Sequence, residues 1–383
     1  MGVFDTVAAI NRPNLVKENR KPASDVVFES HTISPLVKEA IHLLSLDERR
    51  IAFFPTLMNQ DDRVTEIWFA GAHSDVGSGF HYDGLSDISL QFLLDECVRR
   101  NLGLKILPPR AISYPDLFPD DKDEMIQYRD VIVQPNHMGR SHQQHAMTFI
   151  KESFLEDRTP RVNVNDRRSI FPPVIHHSVF DRMVDDPHYD PLSLRYHMVN
   201  PYTGGTVPFN VWYVPDNMAH YTALDDAKLA AMHRPVGLEI GEERRFIVYA
   251  NQHFSSSRVL VEKEGTYRFR IDEAELWFDG PIEATARGWK EKSEKKHLSW
   301  YQKLFVKLAE DHRRHPDARW FEAIGAVNRS DAHQVRILSF LDGEDNGGWT
   351  PGVSGEFFAY PNDLKRKYGN NLGTIQVTII RTA

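Results

Sequence analysis

Cysteine is almost absent from the 383 residues, since Cys97 is the only one. An intrachain disulfide is therefore excluded, which fits synthesis in a reducing compartment such as the cytoplasm. The sequence has no run of about 18 apolar residues, so we expect no membrane-spanning helix. Its start has no basic segment followed by an apolar one, and we expect no Sec signal. The formal net charge of −8 does not favour a nucleic-acid partner.

The first part of the chain has the alternation of strands and helices that is typical of an α/β domain. Residues 64–72 form an apolar run that predicts a buried strand, and residues 85–101 follow as a helix with one apolar side. The stretch LVKEAIHLLSLDERR at 36–50 also predicts a helix. Ser34 suits the N-cap of that helix and Pro35 its first position.

A change of composition marks a second, β-rich domain. From about residue 244, short runs such as RFIVYANQ, SSRVLVEK and GTYRFRID alternate apolar and polar residues, with polar or glycine turns between them. A basic stretch at 289–315 interrupts these runs and predicts a helix. We therefore predict an α/β domain at 1–200, a linker at 201–243, and an all-β sandwich at 244–383 with a helical insertion.

The stretch IWFAGAHSDVGSGF, residues 67–80, places a histidine and an aspartate directly after the apolar strand. In open α/β sheets, functional residues lie at the carboxyl ends of strands, and Asp5 follows another short apolar run. α/β-Hydrolases order their triad along the chain as nucleophile, acid and histidine. Asp5 and His73 have the order expected of the acid and the base. Asp75 is an alternative acid or a cap of the turn, and an ordinary surface hydrogen bond between the side chains is the non-catalytic alternative.

Several motifs occur in an order that resembles one family. They are FDTV at 4–7, LDERRIAFFP at 46–55, the histidine stretch at 67–80, LSDISLQFLLDE at 85–96, and IHHSV at 175–179 followed by Arg182. These motifs resemble those of the Tle-type lipases, phospholipase effectors of type VI secretion in an α/β-hydrolase family formerly filed as a domain of unknown function. The resemblance covers about residues 1–200. It implies Asp5 as the triad acid and His73 as the base of a serine lipase or phospholipase.

One part of the family pattern is missing. The family's nucleophile is a serine in a G-x-S-R-G elbow upstream of the acid's strand, and this sequence contains no G-x-S-x-G. Ser78 has the wrong context and stands where the family usually has glycine, and Ser141 lacks the trailing glycine. We therefore expect a partial α/β-hydrolase, a doubly wound sheet without its N-terminal strands and nucleophile elbow. Such a chain is expected to be inactive alone, either a gene fragment or the rear part of an enzyme that a companion chain completes.

A second motif, NDLKRKYGNNLG at 362–373, holds oxygens that suit a hard cation. Calcium binds carboxylate, amide and backbone carbonyl oxygens, and Asp363, Asn370 and Asn371 offer three from side chains. The alternative is an Asx-rich turn before the last strand.

This motif and the run from VYANQ to LWFDG at 248–280 resemble the bacterial galactophilic lectins. The resemblance implies a galactose-binding-like β-sandwich, with glycan binding as a further implication. It also implies a Ca²⁺ ion held by Asp363, the Lys367 carbonyl, Asn370 and Asn371, with Gly280 or a neighbour giving another carbonyl. The basic helix predicted at 289–315 either docks on anionic lipid or packs on its own domain with a solvated charged face.

Two hypotheses of different class follow. In the first, the chain is the rear portion of a phospholipase-type effector that acts on membrane phospholipids, needs no cofactor for hydrolysis and leaves the cell through a type VI apparatus. Its partners are a phospholipid surface and a companion chain with the G-x-S-R-G elbow. In the second, the chain is a non-catalytic adaptor that binds carbohydrate or membrane through the lectin-like domain. A pseudogene product without function is a third possibility.

Overall fold

Two units make up the chain, Met1–Ala230 and Ala231–Ala383. The computed structural model describes residues 1–7, 31–80, 84–107, 111, 131–142, 155–186, 188–195, 210–213, 220–223, 234–272, 275–280, 282–289, 312–343 and 347–383.

A six-stranded sheet forms the centre of the amino-terminal unit. In spatial order, its strands are β1 (Gly2–Phe4), β2 (Ala40–Ser45), β3 (Val64–Phe69), β6 (Val174–His176), β7 (Asn210–Tyr213) and β8 (His220–Ala223). The first five strands run parallel, and β8 is antiparallel to β7. A separate hairpin consists of β4 (Asn163–Val164) and β5 (Arg167–Arg168).

Apolar side chains cover both faces of the sheet. The helices of this unit are α1 (His73–Gly77), α2 (Gly84–Arg99), α3 (His177–Asp185) and α4 (Leu192–Arg195). Successive residues of a strand point to opposite faces: Leu43 of β2 lies in one apolar cluster with Phe92 of α2, whereas Leu44 lies in another with Val179 of α3. All six residues of β2 are buried. The unit is therefore an α/β arrangement with apolar layers on both sides of its sheet.

Two elements expected for this unit are confirmed, and a third is wrong. The strand expected at 64–72 is β3, and the helix expected at 85–101 is α2. The helix expected at 36–50 is instead the strand β2 with loops around it. A parallel strand buried on both faces reads as a continuous apolar run, and its spacing can match a helix as well as a strand.

The predicted linker at 201–243 also differs from the structure. Residues 210–213 and 220–223 lie in the sheet as β7 and β8, and the boundary between the units follows Ala230. Residues 236–237 already pair with a strand of the second unit. The prolines, tyrosines and asparagines of this stretch favoured a linker, but β7 pairs with β6 and with β8 in the sheet.

The carboxy-terminal unit contains two five-stranded sheets. The first consists of β10 (Glu243–Tyr249), β18 (Asn371–Arg381), β13 (Trp277–Asp279), β14 (Ile282–Ala284) and β12 (Tyr267–Ile271), which pairs with β18. The second consists of β16 (Gln334–Arg336), β15 (Ala323–Val327), β17 (Gly355–Pro361), β11 (Ser255–Val261) and β9 (Val236–Gly237).

One apolar core joins the two sheets. Phe357 of β17 packs against Phe246 of β10 and Phe269 of β12, with ring centroids 6.1 and 5.3 Å apart. This arrangement agrees with an α/β region followed by two packed β-sheets.

The strand β15 was not anticipated, and residues 290–311 of the predicted helical insertion lie outside the described residues. Within the described parts of the chain, no helix has the length and apolar character that crossing a bilayer requires.

Candidate acid–base site

Two side chains predicted to act together meet at the carboxyl ends of parallel strands. Asp5 directly follows β1, and His73 is the first residue of α1, shortly after β3. The Nδ1 atom of His73 lies 2.7 Å from Oδ2 of Asp5. The Asp5 side chain is fully buried, and the His73 side chain is 27% exposed. The strands thus bring together residues 68 positions apart in the sequence.

The Asp5 carboxylate accepts hydrogen bonds on both oxygens. Its Oδ1 accepts from the Ser45 N–H at 2.9 Å and from Nη1 of Arg158 at 2.5 Å, and its Oδ2 accepts from Nη2 of Arg158 at 2.9 Å. Burial alone would raise the pKa of Asp5. The charge of Arg158 and the hydrogen bonds from His73, Arg158 and the Ser45 N–H together hold the pKa below its ordinary value. The ionised carboxylate can then accept from Nδ1–H of His73, which leaves Nε2 as the basic nitrogen.

The backbone at Asp5 lies in the left-handed region, with φ of 41°. This conformation is uncommon for a residue other than glycine, and it persists where the surroundings enforce it. The Asp5 N–H donates to the Leu43 carbonyl at 2.6 Å, and the Thr6 N–H donates to Nε2 of His42 at 3.1 Å. His42 is itself held by Glu66, whose Oε1 lies 2.9 Å from Nδ1. Hydrogen bonds on both sides thus fix the acid at the end of β1.

Two carboxylates hold the turn that carries His73. Asp47 accepts from the Gly71 N–H at 2.7 Å, and Glu48 accepts from the His73 N–H at 3.2 Å. Burial raises the pKa of Asp47 to about 6, despite hydrogen bonds from the Gly71 N–H and the Tyr189 hydroxyl and the charge of Arg182 that act in the other direction. The imidazole of His73 also packs edge-on against the phenyl ring of Phe53, with the two ring centroids 5.0 Å apart.

Ser45, the last residue of β2, connects Asp5 to the turn that carries His73. Its N–H binds the Asp5 carboxylate, and its hydroxyl donates to the Gly71 carbonyl at 2.7 Å. Because β2 lies between β1 and β3 in the sheet, this one residue contacts both neighbouring strand ends.

Asp75, the alternative acid, binds a different histidine. Its Oδ2 accepts from the Ala72 N–H at 2.8 Å, as a cap of α1, and from the His142 N–H at 2.8 Å. Its Oδ1 lies 2.6 Å from Nδ1 of His142. Asp75 therefore caps the turn and binds His142, while Asp5 is the carboxylate bound to His73.

The four residues of the proposed calcium site lie in the segment that leads into β18. Asp363 is buried, and its Oδ2 accepts from Nδ2 of Asn371 at 3.0 Å. Nδ2 of Asn370 donates to a further carboxylate, Oδ1 of Asp279, at 3.0 Å. The Lys367 carbonyl accepts from the Asn370 N–H at 3.3 Å.

Burial disfavours the charged forms of the carboxyl groups in this second cluster. Burial raises the pKa of Asp279 to about 7, and the nearby charge of Asp363 adds to the effect. Burial also raises the pKa of Asp363. No described residue donates a hydrogen bond to the buried Oδ1 atom of Asn371, which is costly unless a donor or a cation binds there. Among the described residues, no three His, Cys, Asp or Glu side chains form a metal-binding group, so the candidate set depends on amide and backbone oxygens.

Sequence reasoning missed several residues of both clusters. Arg158 and Ser45 bind the Asp5 carboxylate, but a single arginine outside any motif and a serine at a strand end carry no recognisable spacing signal. Asp279 is the last residue of β13 and precedes Gly280, a pattern that marks a strand end. It could have been weighed as a side-chain ligand beside the carbonyl that was expected there.

Comparisons with known proteins support part of this description. No curated protein matches the chain. A solved structure described as the EclA N-terminal domain, a PllA-like lectin, is 12% identical, with a TM-score of 0.24 over 36% of this chain and 95% of that one. Residues 1–96 match the model of a family described as the T6SS phospholipase effector Tle1-like catalytic domain. The first 96 residues, which include Asp5, His73 and Asp75, are thus similar to the catalytic domain of Tle1-like phospholipase effectors.

Proposed function

We propose that the amino-terminal unit supplies the acid and the base of a serine hydrolase that cleaves ester bonds of phospholipids. The observation that carries this proposal is the 2.7 Å contact between Nδ1 of His73 and the buried, ionised Asp5. The family match over residues 1–96 supports a phospholipase-type effector and delivery by type VI secretion.

In this mechanism, Asp5 holds the Nδ1–H tautomer of His73 and stabilises the imidazolium ion that forms during the reaction. Nε2 of His73 accepts the proton of a serine hydroxyl as the serine attacks the ester carbonyl, and it returns that proton to the leaving alcohol. A second round, with water as the nucleophile, releases the fatty acid. No G-x-S-x-G is present in these 383 residues, and we propose that the serine comes from a companion chain with the G-x-S-R-G elbow.

Complementation tests this proposal. The chain is produced alone and together with the product of a neighbouring reading frame that encodes such an elbow, and fatty-acid release is measured from vesicles of phosphatidylethanolamine and phosphatidylglycerol. We expect release from the pair, no release from the chain alone, and loss of activity in the pair with His73→Ala. His177→Ala is the matched control, because His177 also binds an aspartate, Asp181, at 2.8 Å. Activity that His73→Ala leaves unchanged would contradict the proposal.

A second function is proposed for the carboxy-terminal unit, as a calcium-dependent binding module for glycans. Its supporting observation is the buried Oδ1 of Asn371 beside Asp363, which accepts no hydrogen bond from the part of the chain that the structure describes. Asp363, Asn370, Asn371 and the Lys367 carbonyl would hold the ion, which would supply coordination positions for sugar hydroxyls.

Calorimetric titration of the full chain with CaCl₂, followed by chromatography on a galactose resin, tests this module. We expect calcium binding that Asp363→Ala abolishes, and retention on the resin that a chelator reverses. Asp331→Ala, in the same unit but with its carboxylate bound to Arg314 at 2.6 Å, is the matched control. Calcium binding without retention would leave the ion with a structural role and contradict the glycan proposal.

A further inference from the structure

Arg158 is the most completely buried cation beside the acid–base site that the described residues show, with 2% exposure. Its two terminal nitrogens contact both Asp5 oxygens, and this paired geometry fixes the plane of a carboxylate as well as its position. Nη1 also donates to the Ser45 carbonyl at 2.7 Å, and Nη2 donates to the Phe53 carbonyl. One guanidinium therefore joins the acid, the end of β2 and the loop that contacts the His73 ring.

The segment that carries Arg158 is held in place by its own contacts. The Glu156 N–H donates to the Arg49 carbonyl at 2.7 Å, and Asp157 forms an ion pair with Arg49 at 2.9 Å. Leu155 forms an antiparallel bridge with Arg50. The backbone around Arg158 is thus attached to the LDERR stretch, whose Asp47 and Glu48 hold the His73 turn.

We propose that Arg158 is a positioning residue of the acid–base site, which fixes the Asp5 carboxylate with Oδ2 directed at Nδ1 of His73. This inference rests on the proposed function of the Asp5–His73 pair. The Arg158 guanidinium binds Asp5 and the carbonyls of Ser45 and Phe53, and the proposed effect on His73 passes through Asp5.

The chemistry explains why a cation is needed at this position. Without Arg158, the buried carboxylate keeps only the Ser45 N–H and His73 as partners, and burial then favours the protonated acid. A protonated Asp5 would donate a hydrogen bond to His73 in place of accepting one. The imidazole would then carry its proton on Nε2, the nitrogen that must accept the serine proton.

The test measures the hydrogen bond between Nδ1 of His73 and Asp5 directly, so it can be done without the nucleophile. The full chain is labelled with ¹⁵N at histidine, and the Nδ1-bound proton of His73 is observed by NMR and assigned through its loss in Asp5→Asn and His73→Ala. We expect this downfield resonance to disappear in Arg158→Met. It should shift in Arg158→Lys, which keeps the charge but not the paired geometry. Arg161→Met, in the same segment, should leave the resonance unchanged.

Activity of the complemented enzyme gives the second readout. We expect Arg158→Met to lower the esterase rate by about a hundredfold, since a small displacement of a catalytic group can have this effect. Circular dichroism establishes that each variant is folded, and Arg158→Lys decides the matter if Arg158→Met does not fold. An unchanged His73 resonance in a folded Arg158→Lys and Arg158→Met would overturn the inference. A wild-type complex with this resonance but no esterase activity would contradict the proposed function and leave the positioning role of Arg158 intact.

Discussion

At the scale of single residues, the buried Asp5 carboxylate contributes to the stability of the fold as well as to the proposed acid–base site. Four contacts from Ser45, His73 and Arg158 satisfy its carboxylate, and Arg158 in turn depends on that carboxylate for charge compensation. Asp5, which we propose orients His73 as the base, is therefore also a residue whose loss leaves the buried Arg158 without its carboxylate partner.

Asp5→Asn is expected to destabilise the protein by about 3 kcal/mol or more at neutral pH, because it leaves Arg158 buried and unpaired. The pKa of Asp5 is lowered in the folded state, so its contribution is present above the unfolded value of about 4 and is lost as the pH falls through the folded value. Urea unfolding of wild type and variant across acidic pH measures this. The difference between them should shrink on acidification, and a constant difference would contradict the assignment. Asp181→Asn, at the partly buried His177 pair, is the control.

Asp47 is predicted to have the opposite pH dependence. Burial raises its pKa from 3.8 to about 6, so the folded protein binds more protons than the unfolded chain between these values. Stability from this group is present at low pH and declines as the pH rises to about 6, by about 3 kcal/mol. Asp47→Asn removes this titration, and its stability relative to wild type should increase over the same interval in urea unfolding. A difference in unfolding free energy between variant and wild type that stays constant with pH would show that the pKa of Asp47 is not raised by folding.

At the scale of elements, the turn between β3 and α1 depends on a glycine. Gly71 has φ of +108°, and a Cβ there would lie 2.5 Å from Cβ of Asp75. Gly71→Ala should therefore lower the free energy of unfolding by about 2–4 kcal/mol and displace His73. Gly103→Ala is the control for backbone strain without a steric clash. Gly103 has φ of +79°, and a Cβ added there would meet no atom within 4 Å. That control should cost about 1 kcal/mol, and equal losses in the two variants would refute the steric explanation.

The elements also show how far the sequence can predict such a site. Strand ends and chain order pointed to Asp5 and His73 but left Asp75 as an alternative acid, and the family resemblance favoured Asp5. The structure places Asp5 and His73 in contact. The strand β2 was mistaken for a helix because it is buried on both faces, so polar–apolar alternation gave no guide. Arg158 could not be predicted from its surroundings in the chain, since its role arises from pairing between the Leu155 and Arg50 segments.

At the scale of the whole molecule, each unit has apolar clusters of its own. The clusters around Leu43 and Leu44 belong to the amino-terminal unit, and the large cluster around Phe357 belongs to the carboxy-terminal unit. The acid–base pair and the proposed calcium site thus belong to different cores, and a ligand of one site should stabilise the unit that contains it.

Calcium is therefore expected to raise the thermal transition of the carboxy-terminal unit in the full chain. A ligand that binds only the folded state at a concentration 100 times its dissociation constant adds about 2.7 kcal/mol of stability. Calorimetry with CaCl₂ or chelator should show one transition moving, and Asp363→Ala should abolish the shift. His73→Ala should retain it, since His73 lies in the other core. MgCl₂ is the matched salt control, because a site that combines the Asp363 carboxylate with amide and carbonyl oxygens suits the flexible coordination of calcium better than the octahedral coordination of magnesium. An equal shift with both salts, or a shift that survives Asp363→Ala, would place the calcium effect outside the Asp363–Asn371 cluster.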